Sequence, residues 1–271
     1  MHDKPLLQVN GLRTYFRAKS PGLFSTSTVT RAVDNISFHI NEGEVLSLVG
    51  ESGCGKTTVG RTLTKLEAAS SGEALYRGEN ILPMSQNRFR PLRREIQMIF
   101  QDPFASLNPR LTIEQTLAEP LFIHKLAHNR TAANLRIAEI LERVGMDSSV
   151  MKRHPHEFSG GQRQRIGIAR VMIVKPQLII ADEPVSALDV SIQAQVLNLM
   201  KELQQDLHIS MLFISHDLGV VRHISDRVAV MYEGKIVETA GKRDLFSAPQ
   251  HPYTRKLLDA IPRIPSFKKA S

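Results

Sequence analysis

A glycine-rich segment directly behind a short apolar run constrains this chain more than any other feature. Residues 50–57 read GESGCGKT and follow the apolar run Val45 to Val49. The spacing G-x-x-x-x-G-K-[ST] is that of a phosphate-binding loop, which has to lie between a strand and the start of a helix. An almost wholly apolar strand is covered on both faces, as in a parallel sheet. The segment therefore predicts an α/β core.

Each residue type in this loop has a chemical role toward phosphate. The glycines let successive backbone N–H groups converge on phosphate oxygens at a helix N-terminus. Lys56 adds a mobile cation, and the Thr57 hydroxyl can ligate Mg²⁺. The candidate nucleotide-binding residues of this segment are Gly50, Ser52, Gly53, Cys54, Gly55, Lys56, Thr57 and Thr58.

A second apolar run ends in two carboxylates. Residues 178–181 read LIIA and are followed by Asp182 and Glu183. In a chain with a phosphate loop, this order predicts that Asp182 contacts Mg²⁺, directly or through water. Glu183 is then expected to polarise the water that attacks the γ-phosphate. Paired acids after a strand also often cap a helix, and the phosphate loop makes that alternative the weaker one.

The rest of the chain alternates strand-like and helix-like patterns. Strands are predicted at Leu6–Val9, Ala32–Ile40 and Met211–Ser215, and a helix from about Ser191. Residues 17–30 lack any period and predict an exposed loop, whose function the residues do not indicate. Residues 102–153 have helical periodicity, with Thr131 as a possible cap and Gly145 closing one segment. Such alternation predicts a parallel sheet with an inserted helical part.

Composition excludes several classes of protein. With 42% hydrophobic residues in 271, the chain can bury a sizeable core. Cys54 is the only cysteine, so an intrachain disulfide and a thiolate metal or iron–sulfur cage are excluded, which suits a reducing cytoplasm. No apolar stretch approaches the roughly 20 residues of a membrane helix, and no secretory signal opens the sequence. The net charge of +8 is distributed in short runs, which favours a solvated surface with some attraction to a membrane.

Further motifs resemble those of ABC-transporter ATPases. Residues 159–162 match the signature SGGQ of that family, with Phe158 where leucine is usual. The order of the other family motifs is also kept. These are Gln101 for the Q-loop, Asp182 and Glu183 for the Walker B segment, Ser186 to Asp189 for the D-loop, and His216 for the switch.

The resemblance implies a fold and a division of the chain. The implied fold is an α/β P-loop NTPase with a parallel-sheet core, an N-terminal antiparallel β subdomain and an inserted α-helical subdomain. The ATPase domain would cover residues 1–241, with the helical subdomain at about 102–170. Residues 242–271 would form a short C-terminal appendage.

The resemblance also implies roles for residues outside the phosphate loop. ATP and Mg²⁺ are the implied cofactors, with Thr57, Gln101 and Asp182 around the metal. His216 would contact the γ-phosphate, and Gln101 would link the site to the helical insert. Tyr15, or its neighbour Phe16, would stack on adenine. Ser159, Gly160, Gly161, Gln162 and Asp189 would close over the nucleotide of a second ATPase subunit in a head-to-tail dimer.

Two segments resemble one branch of the family, the oligopeptide and dipeptide importers. They are residues 100–109, FQDPFASLNP, and the stretch from His251 that reads HPYTRKLL. Members of this branch typically pair two different ATPase subunits with two transmembrane permease subunits, and an extracytoplasmic protein binds the solute. A heterodimer is therefore expected, while the residues of this chain leave open whether the second ATPase subunit is identical or related. The chain is thus expected at the cytoplasmic face of a bacterial inner membrane. Residues 104–111 would help to form the groove for the permeases.

Competing functions stay open at this point. The solute could be nickel or another small molecule instead of a peptide. The basic charge also suits a soluble ABC ATPase acting on nucleic acid, although such proteins usually carry tandem units or long insertions. A GTPase is disfavoured because Thr64 to Glu67 reads TKLE and no guanine-reading [NT]KxD is present. A non-catalytic regulatory subunit predicts a degenerate site, whereas SGGQ, Glu183 and His216 are intact. No nucleic-acid partner is expected.

Overall fold

The computed structural model describes residues 4–18, 28–102 and 106–260, and two sheets organise them. The first is antiparallel and has the strand order β2-β1-β4-β5. Its strands are β1 (Leu7–Ala18), β2 (Thr28–Ile40), β4 (Ser71–Tyr76) and β5 (Glu79–Asn80). This is the N-terminal antiparallel part of the expected fold.

The second sheet has six strands in the order β10-β9-β3-β8-β7-β6. All neighbouring pairs are parallel except β9 and β10, which are antiparallel. The strands are β3 (Val45–Val49), β6 (Ile96–Ile99), β7 (Leu178–Asp182), β8 (Ser210–Ser215), β9 (Arg227–Tyr232) and β10 (Lys235–Gly241). Every residue of β3, β7 and β8 is buried, which explains their near-continuous apolar sequences.

Helices connect the strands and cover the sheets. They are α1 (Lys56–Leu63), α2 (Gln86–Phe89), α3 (Ile113–Ile123), α4 (Arg130–Arg143), α5 (Gly160–Met172), α6 (Val190–Asp206), α7 (Leu218–Ile224), α8 (Lys242–Ser247) and α9 (Pro252–Asp259). Three short 3-10 helices add Pro91–Arg94, Ser148–Lys152 and Pro155–Glu157. Within the described ranges no helix combines the length and the apolar character needed to cross a bilayer.

The core separates into layers on the two faces of the six-stranded sheet. One cluster packs α3, α4, α5 and α6 against residues such as Ile179 and Phe213. The other packs α1 and the antiparallel sheet against residues such as Ile180 and Ile214. Helix α1 lies so close to the sheet that a Cβ atom at Gly60 would stand 2.9 Å from Ile180. The order β7-β8-β3 therefore brings the carboxyl ends of three buried strands to one edge, where α/β proteins bind ligands.

Some boundaries differ from the expectation. The cap of α4 is Asn129, whose side chain accepts a hydrogen bond from Ala132, and not Thr131. Gly145 follows α4 with φ +72°, as predicted for a helix end. The loop expected at 17–30 is wrong at its ends, because Arg17 pairs with Val29 as β1 and β2 extend into a hairpin. Residues 19–27 lie outside the described part of the chain.

Candidate nucleotide site

A cavity of about 610 Å³ opens at the carboxyl end of β3. Its walls combine the phosphate loop with side chains from three distant parts of the sequence. The lining residues are Ala32, Gly50, Glu51, Ser52, Gly53, Gly55, Lys56, Thr57, Thr58, Gln101, Glu183, His216 and Leu257. The structure thus brings together most of the phosphate loop with Gln101, Glu183 and His216.

The phosphate loop is tightly enclosed by backbone. Gly55 has φ +105°, and a Cβ atom there would stand 1.9 Å from the carbonyl oxygen of Ala32. A Cβ atom at Gly50 would stand 2.2 Å from the carbonyl oxygen of Met231. Only glycine fits between the loop and the strands β2 and β9 at these two positions. Cys54 is buried inside the loop and does not line the cavity.

Lys56 is the cation of the loop and is itself nearly buried. Its Nζ atom donates to the carbonyl oxygens of Gly50 and Glu51, both at 2.8 Å. These neutral acceptors hold the ammonium group at the wall of the cavity. A phosphate oxygen is a stronger acceptor for an ammonium group than a carbonyl oxygen, so the arrangement suits an exchange of partners when an anion enters.

Two oxygen ligands of the kind that Mg²⁺ prefers meet beneath the loop. Thr57 Oγ1 donates to Asp182 Oδ1 at 3.0 Å, and Asp182 is only 3% exposed. Burial raises the pKa of the Asp182 carboxyl, while the hydrogen bond from Thr57 opposes that shift. A hydroxyl and a desolvated carboxylate form a donor set that fits a small hard cation.

The Glu183 carboxylate lies between two side chains that arrive from other strands. Gln101 Nε2 donates to its Oε2 at 3.0 Å, and His216 Nδ1 lies 3.1 Å from its Oε1. Glu183 has φ +46°, an uncommon conformation for a residue with a side chain, and its N–H donates to Ile214 O at 3.0 Å. The strand neighbour β8 therefore stabilises the backbone turn that directs this carboxylate into the cavity.

The signature residues lie away from this cavity. Ser159 caps α5 by accepting a hydrogen bond from Gln162 N–H, and Gln162 Oε1 accepts one from Ser159 N–H. Gly160 and Gly161 begin the helix, and a Cβ atom at Gly161 would stand 2.4 Å from Ile192. Asp189 precedes α6 and is exposed. These residues do not belong to the lining of the phosphate-loop cavity among the described residues.

Tyr15, predicted to stack on adenine, lies on β1 and outside the cavity lining. Its hydroxyl donates to Asp34 Oδ1 at 2.6 Å, and this hydrogen bond raises the pKa of Tyr15. Asp34 N–H donates to Gly234 O, and Gly234 N–H donates to Cys54 O. Phe16 is 41% exposed. The adenine contact stays a prediction for either ring.

Sequence reasoning missed three lining residues: Glu51 within the phosphate loop, and Ala32 and Leu257 outside it. Ala32 lies on β2, and its carbonyl oxygen approaches the phosphate loop at Gly55. Sequence patterns do not predict a backbone contact of this kind. Leu257 comes from α9, about two hundred residues after the phosphate loop. The sequence of its segment, HPYTRKLL, indicates a family branch but does not by itself predict a contact with the site.

Two family models match this chain. One, described as ABC transporter, covers residues 33–186. The other, described as Oligopeptide/dipeptide transporter, C-terminal region, covers residues 237–270.

Curated relatives match nearly the whole chain. The oligopeptide transport ATP-binding protein AppF of Bacillus subtilis (strain 168) is 52% identical over 263 residues, which cover 96% of this chain and 79% of the relative. The glutathione import ATP-binding protein GsiA of Salmonella typhimurium (strain LT2) is 54% identical over 263 residues. That match covers 97% of this chain and 42% of GsiA, so this chain spans about two fifths of that relative.

A solved structure has the same architecture. The ATP-binding cassette MJ0796, in a dimeric post-hydrolysis state bound to ADP and Pi, matches with a TM-score of 0.77 and 25% sequence identity. The match covers 88% of this chain and 99% of the cassette. The expected fold class is confirmed.

Proposed function

Since this chain belongs to the ABC transporter family of ATP-binding proteins, we propose that it powers an importer of di- or oligopeptides by binding and hydrolysing ATP. The observation that carries the ATPase part is the Glu183 carboxylate, held by Gln101 and His216 at the wall of the phosphate-loop cavity. A carboxylate so placed can orient and polarise a water molecule. The match of residues 237–270 to the peptide-transporter region supports the cargo.

The residues of this chain have separate tasks in the proposed reaction. The loop amides and Lys56 bind the β- and γ-phosphates, and Lys56 leaves its two carbonyl partners to do so. Thr57, Asp182 and Gln101 would hold Mg²⁺, which when bound neutralises charge on the phosphates. Glu183 orients the attacking water, and His216 fixes Glu183 and contacts the γ-phosphate. Catalysis is then positioning together with charge stabilisation.

A second ATPase subunit is part of the proposal. Ser159 and Gln162 begin a helix whose N-terminus can bind an anion, yet this end lies outside the chain's own cavity. Asp189 is exposed and Val190 beside it is 82% exposed, as an unoccupied contact surface would be. We place these residues over the nucleotide of a related subunit in a head-to-tail heterodimer. Two ATP molecules then close the dimer, and hydrolysis reopens it.

Docking to two permease subunits is supported by an apolar surface next to Gln101. Leu66, Phe100 and Ile123 are 53%, 37% and 55% exposed and line one groove. The groove joins the site to the helical insert, because Phe100 directly precedes Gln101 and Ile123 ends α3. Of the segment 104–111, predicted from sequence to help form this groove, residues 104 and 105 lie outside the described part of the chain. None of residues 106–111 lines the groove, and Leu107 is buried. Exposed aliphatic and aromatic side chains of this kind suit a protein interface.

Peptides are the favoured cargo for two reasons. The B. subtilis relative is named for oligopeptide transport, and GsiA is named for import of glutathione, itself a small peptide.

An extracytoplasmic protein would deliver the solute, and this subunit would act at the inner face of a bacterial plasma membrane. In this proposal residues 1–241 form the ATPase domain, with the helical subdomain at about 102–170, and residues 242–271 form the appendage.

The test is purification of the tagged chain from its native membrane, followed by identification of its partners and an ATPase assay. We expect two multi-span subunits, a second ATPase with SGGQ, and ATP turnover that rises when the binding protein and a peptide are added. Stimulation by nickel chelates and not by peptides would contradict the cargo. Recovery of ribosomes or DNA without a membrane subunit would contradict the transport role.

A further inference from the structure

The C-terminal helix α9 contacts the phosphate loop directly. Tyr253, near the start of this helix, is 7% exposed, and its hydroxyl accepts a hydrogen bond from Glu51 N–H at 3.2 Å. The Tyr253 ring packs on Tyr232, with ring centroids 4.2 Å apart. Leu257, one turn later, lines the cavity. The appendage therefore forms part of the wall of the candidate nucleotide site.

The turn before α9 is fixed to the six-stranded sheet. Glu238 of β10 accepts hydrogen bonds from Gln250 N–H at 2.8 Å and from His251 N–H at 2.9 Å. His251 Nδ1 then accepts from Tyr253 N–H at 3.2 Å and caps the helix. These bonds hold Tyr253 at a defined position relative to β9 and β10. The Tyr253 hydroxyl is therefore held in place where it contacts the phosphate loop.

The hydrogen bond from Glu51 N–H to the Tyr253 hydroxyl adds to other bonds that hold the backbone of the phosphate loop. Lys56 Nζ donates to Gly50 O and to Glu51 O. The Glu51 carbonyl also accepts from Cys54 N–H at 3.3 Å. With Tyr253 accepting from its N–H, Glu51 is held through both of its backbone polar groups. Without the Tyr253 hydroxyl, Glu51 N–H would lose its hydrogen-bond acceptor, and the turn that contains Cys54 would become less constrained.

We propose that Tyr253 is a positioning residue for nucleotide binding, because its hydroxyl fixes Glu51 and thereby holds the phosphate loop in its binding conformation. The inference rests on the proposed function and deepens it. Tyr253 acts through Glu51 and does not contact the reacting atoms. It follows that the nucleotide affinity of this subunit responds to whatever displaces α9, so the appendage and the ATP site are energetically coupled.

The variant Tyr253→Phe tests this directly, since it removes the acceptor oxygen and keeps the ring against Tyr232. The dissociation constant of a fluorescent ATP analogue, measured with the full chain and Mg²⁺, should rise about three- to tenfold, as for one ordinary hydrogen bond. In the assembled transporter, KM for ATP should rise by a similar factor, while kcat changes less than about twofold. An unchanged dissociation constant would refute the proposal.

Cys54 offers a second, local readout. It is the only cysteine of the chain, it is 9% exposed, and its N–H is bonded to Glu51. The rate at which a chromogenic disulfide reagent modifies Cys54 should therefore increase severalfold in Tyr253→Phe, with an unchanged melting temperature. A purely structural role of the hydroxyl would instead lower the melting temperature and leave the affinity of the folded chain as it was.

Tyr232→Phe is the matched control. It removes the other hydroxyl of the same ring pair, which carries no bond to the phosphate loop among the described contacts. This control should keep both the affinity and the Cys54 reactivity of the parent chain, and an equal change in it would refute the specific role of Tyr253. Failure of the parent chain to bind the ATP analogue would overturn the proposed function. Binding by the parent with no difference in Tyr253→Phe would overturn only this inference.

Discussion

His216 Nδ1 lies 3.1 Å from Glu183 Oε1, although the two residues come from the ends of different strands. Glu183 follows β7, His216 follows β8, and the parallel pairing of these strands brings both ends to the same edge. The side chain of Glu183 is 12% exposed, whereas that of His216 is 54% exposed. The imidazole therefore shields one side of the carboxylate and leaves the cavity side open.

This contact predicts non-additive kinetics. Glu183→Gln should lower kcat for ATP hydrolysis by about 10²-fold or more, with ATP binding retained, because the group that activates water is lost. His216→Ala should lower kcat by about 10- to 100-fold. Because His216 holds Glu183 and also contacts the γ-phosphate, His216→Ala should slow the Glu183→Gln variant by a smaller factor than it slows the parent, in steady-state assays of the purified transporter. Multiplying losses would show that the two residues act independently.

The buried Asp182 carboxylate is expected to lower the stability of the ligand-free fold and to be needed for metal binding. Burial raises the pKa of its carboxyl, so its ionisation disfavours the folded state. Its stabilising contribution is present below the pKa of an unfolded Asp and is lost as pH rises through the folded value. Asp182→Asn, which keeps an oxygen for Thr57, should thus raise the melting temperature of the ligand-free chain in EDTA at pH 7.

The same variant should lose the extra stability that the parent chain gains from MgATP. Thermal melts with EDTA, with ATP alone and with MgATP separate the two effects, and Thr57→Val provides a comparison that removes the other candidate oxygen ligand. A lower melting temperature of Asp182→Asn in EDTA at pH 7 would contradict the destabilising role of the ionised carboxylate. The difference between parent and variant should shrink as the buffer is acidified, because Asp182 then becomes neutral in both states.

Two glycines of the phosphate loop form a matched pair for a steric test. Gly55→Ala places a Cβ atom 1.9 Å from Ala32 O at φ +105°, whereas Gly53→Ala meets nothing within 4 Å at φ +83°. The first change should lower the free energy of unfolding by at least about 2 kcal/mol and abolish nucleotide binding. The second carries only the left-handed backbone cost of about 1 kcal/mol. Urea denaturation measures the free energy of unfolding of both variants. Equal decreases would mean that the chain relieves the overlap between the new Cβ atom at residue 55 and β2 without a loss of stability.

The sequence predicted the parts of this protein that follow from local pattern. Nearly continuous apolar runs identified β3, β7 and β8, because these strands are buried on both faces. The glycine spacing identified the loop before α1, because phosphate binding requires these residue types close together in sequence. The cap of α4 was misplaced by two residues, since Asn129 and Thr131 are both suitable caps and only the packing decides between them. Tyr253 and Leu257 could not be assigned to the site from sequence. The contact of Tyr253 with Glu51 and the place of Leu257 in the cavity wall depend on how α9 packs against β9 and β10.

The apolar groove beside Gln101 predicts a variant that uncouples assembly from nucleotide binding. Ile123 is 55% exposed at the end of α3, and it lines the groove together with Phe100 and Leu66. Ile123→Glu would bring a charge into the proposed permease interface, where desolvation makes it costly. Recovery of the permease subunits with the tagged chain should fall at least about tenfold.

Binding of the fluorescent ATP analogue by the isolated Ile123→Glu chain should stay within about twofold of the parent value, because the groove does not share a wall with the phosphate loop. Leu135→Glu is the control, since Leu135 is 65% exposed on α4 and lies outside this groove. It should retain the permeases, which excludes a general effect of a new surface charge. If both variants lose the permease subunits equally, the assignment of the groove as the docking surface is contradicted. If both variants retain them, the permeases bind elsewhere on the chain.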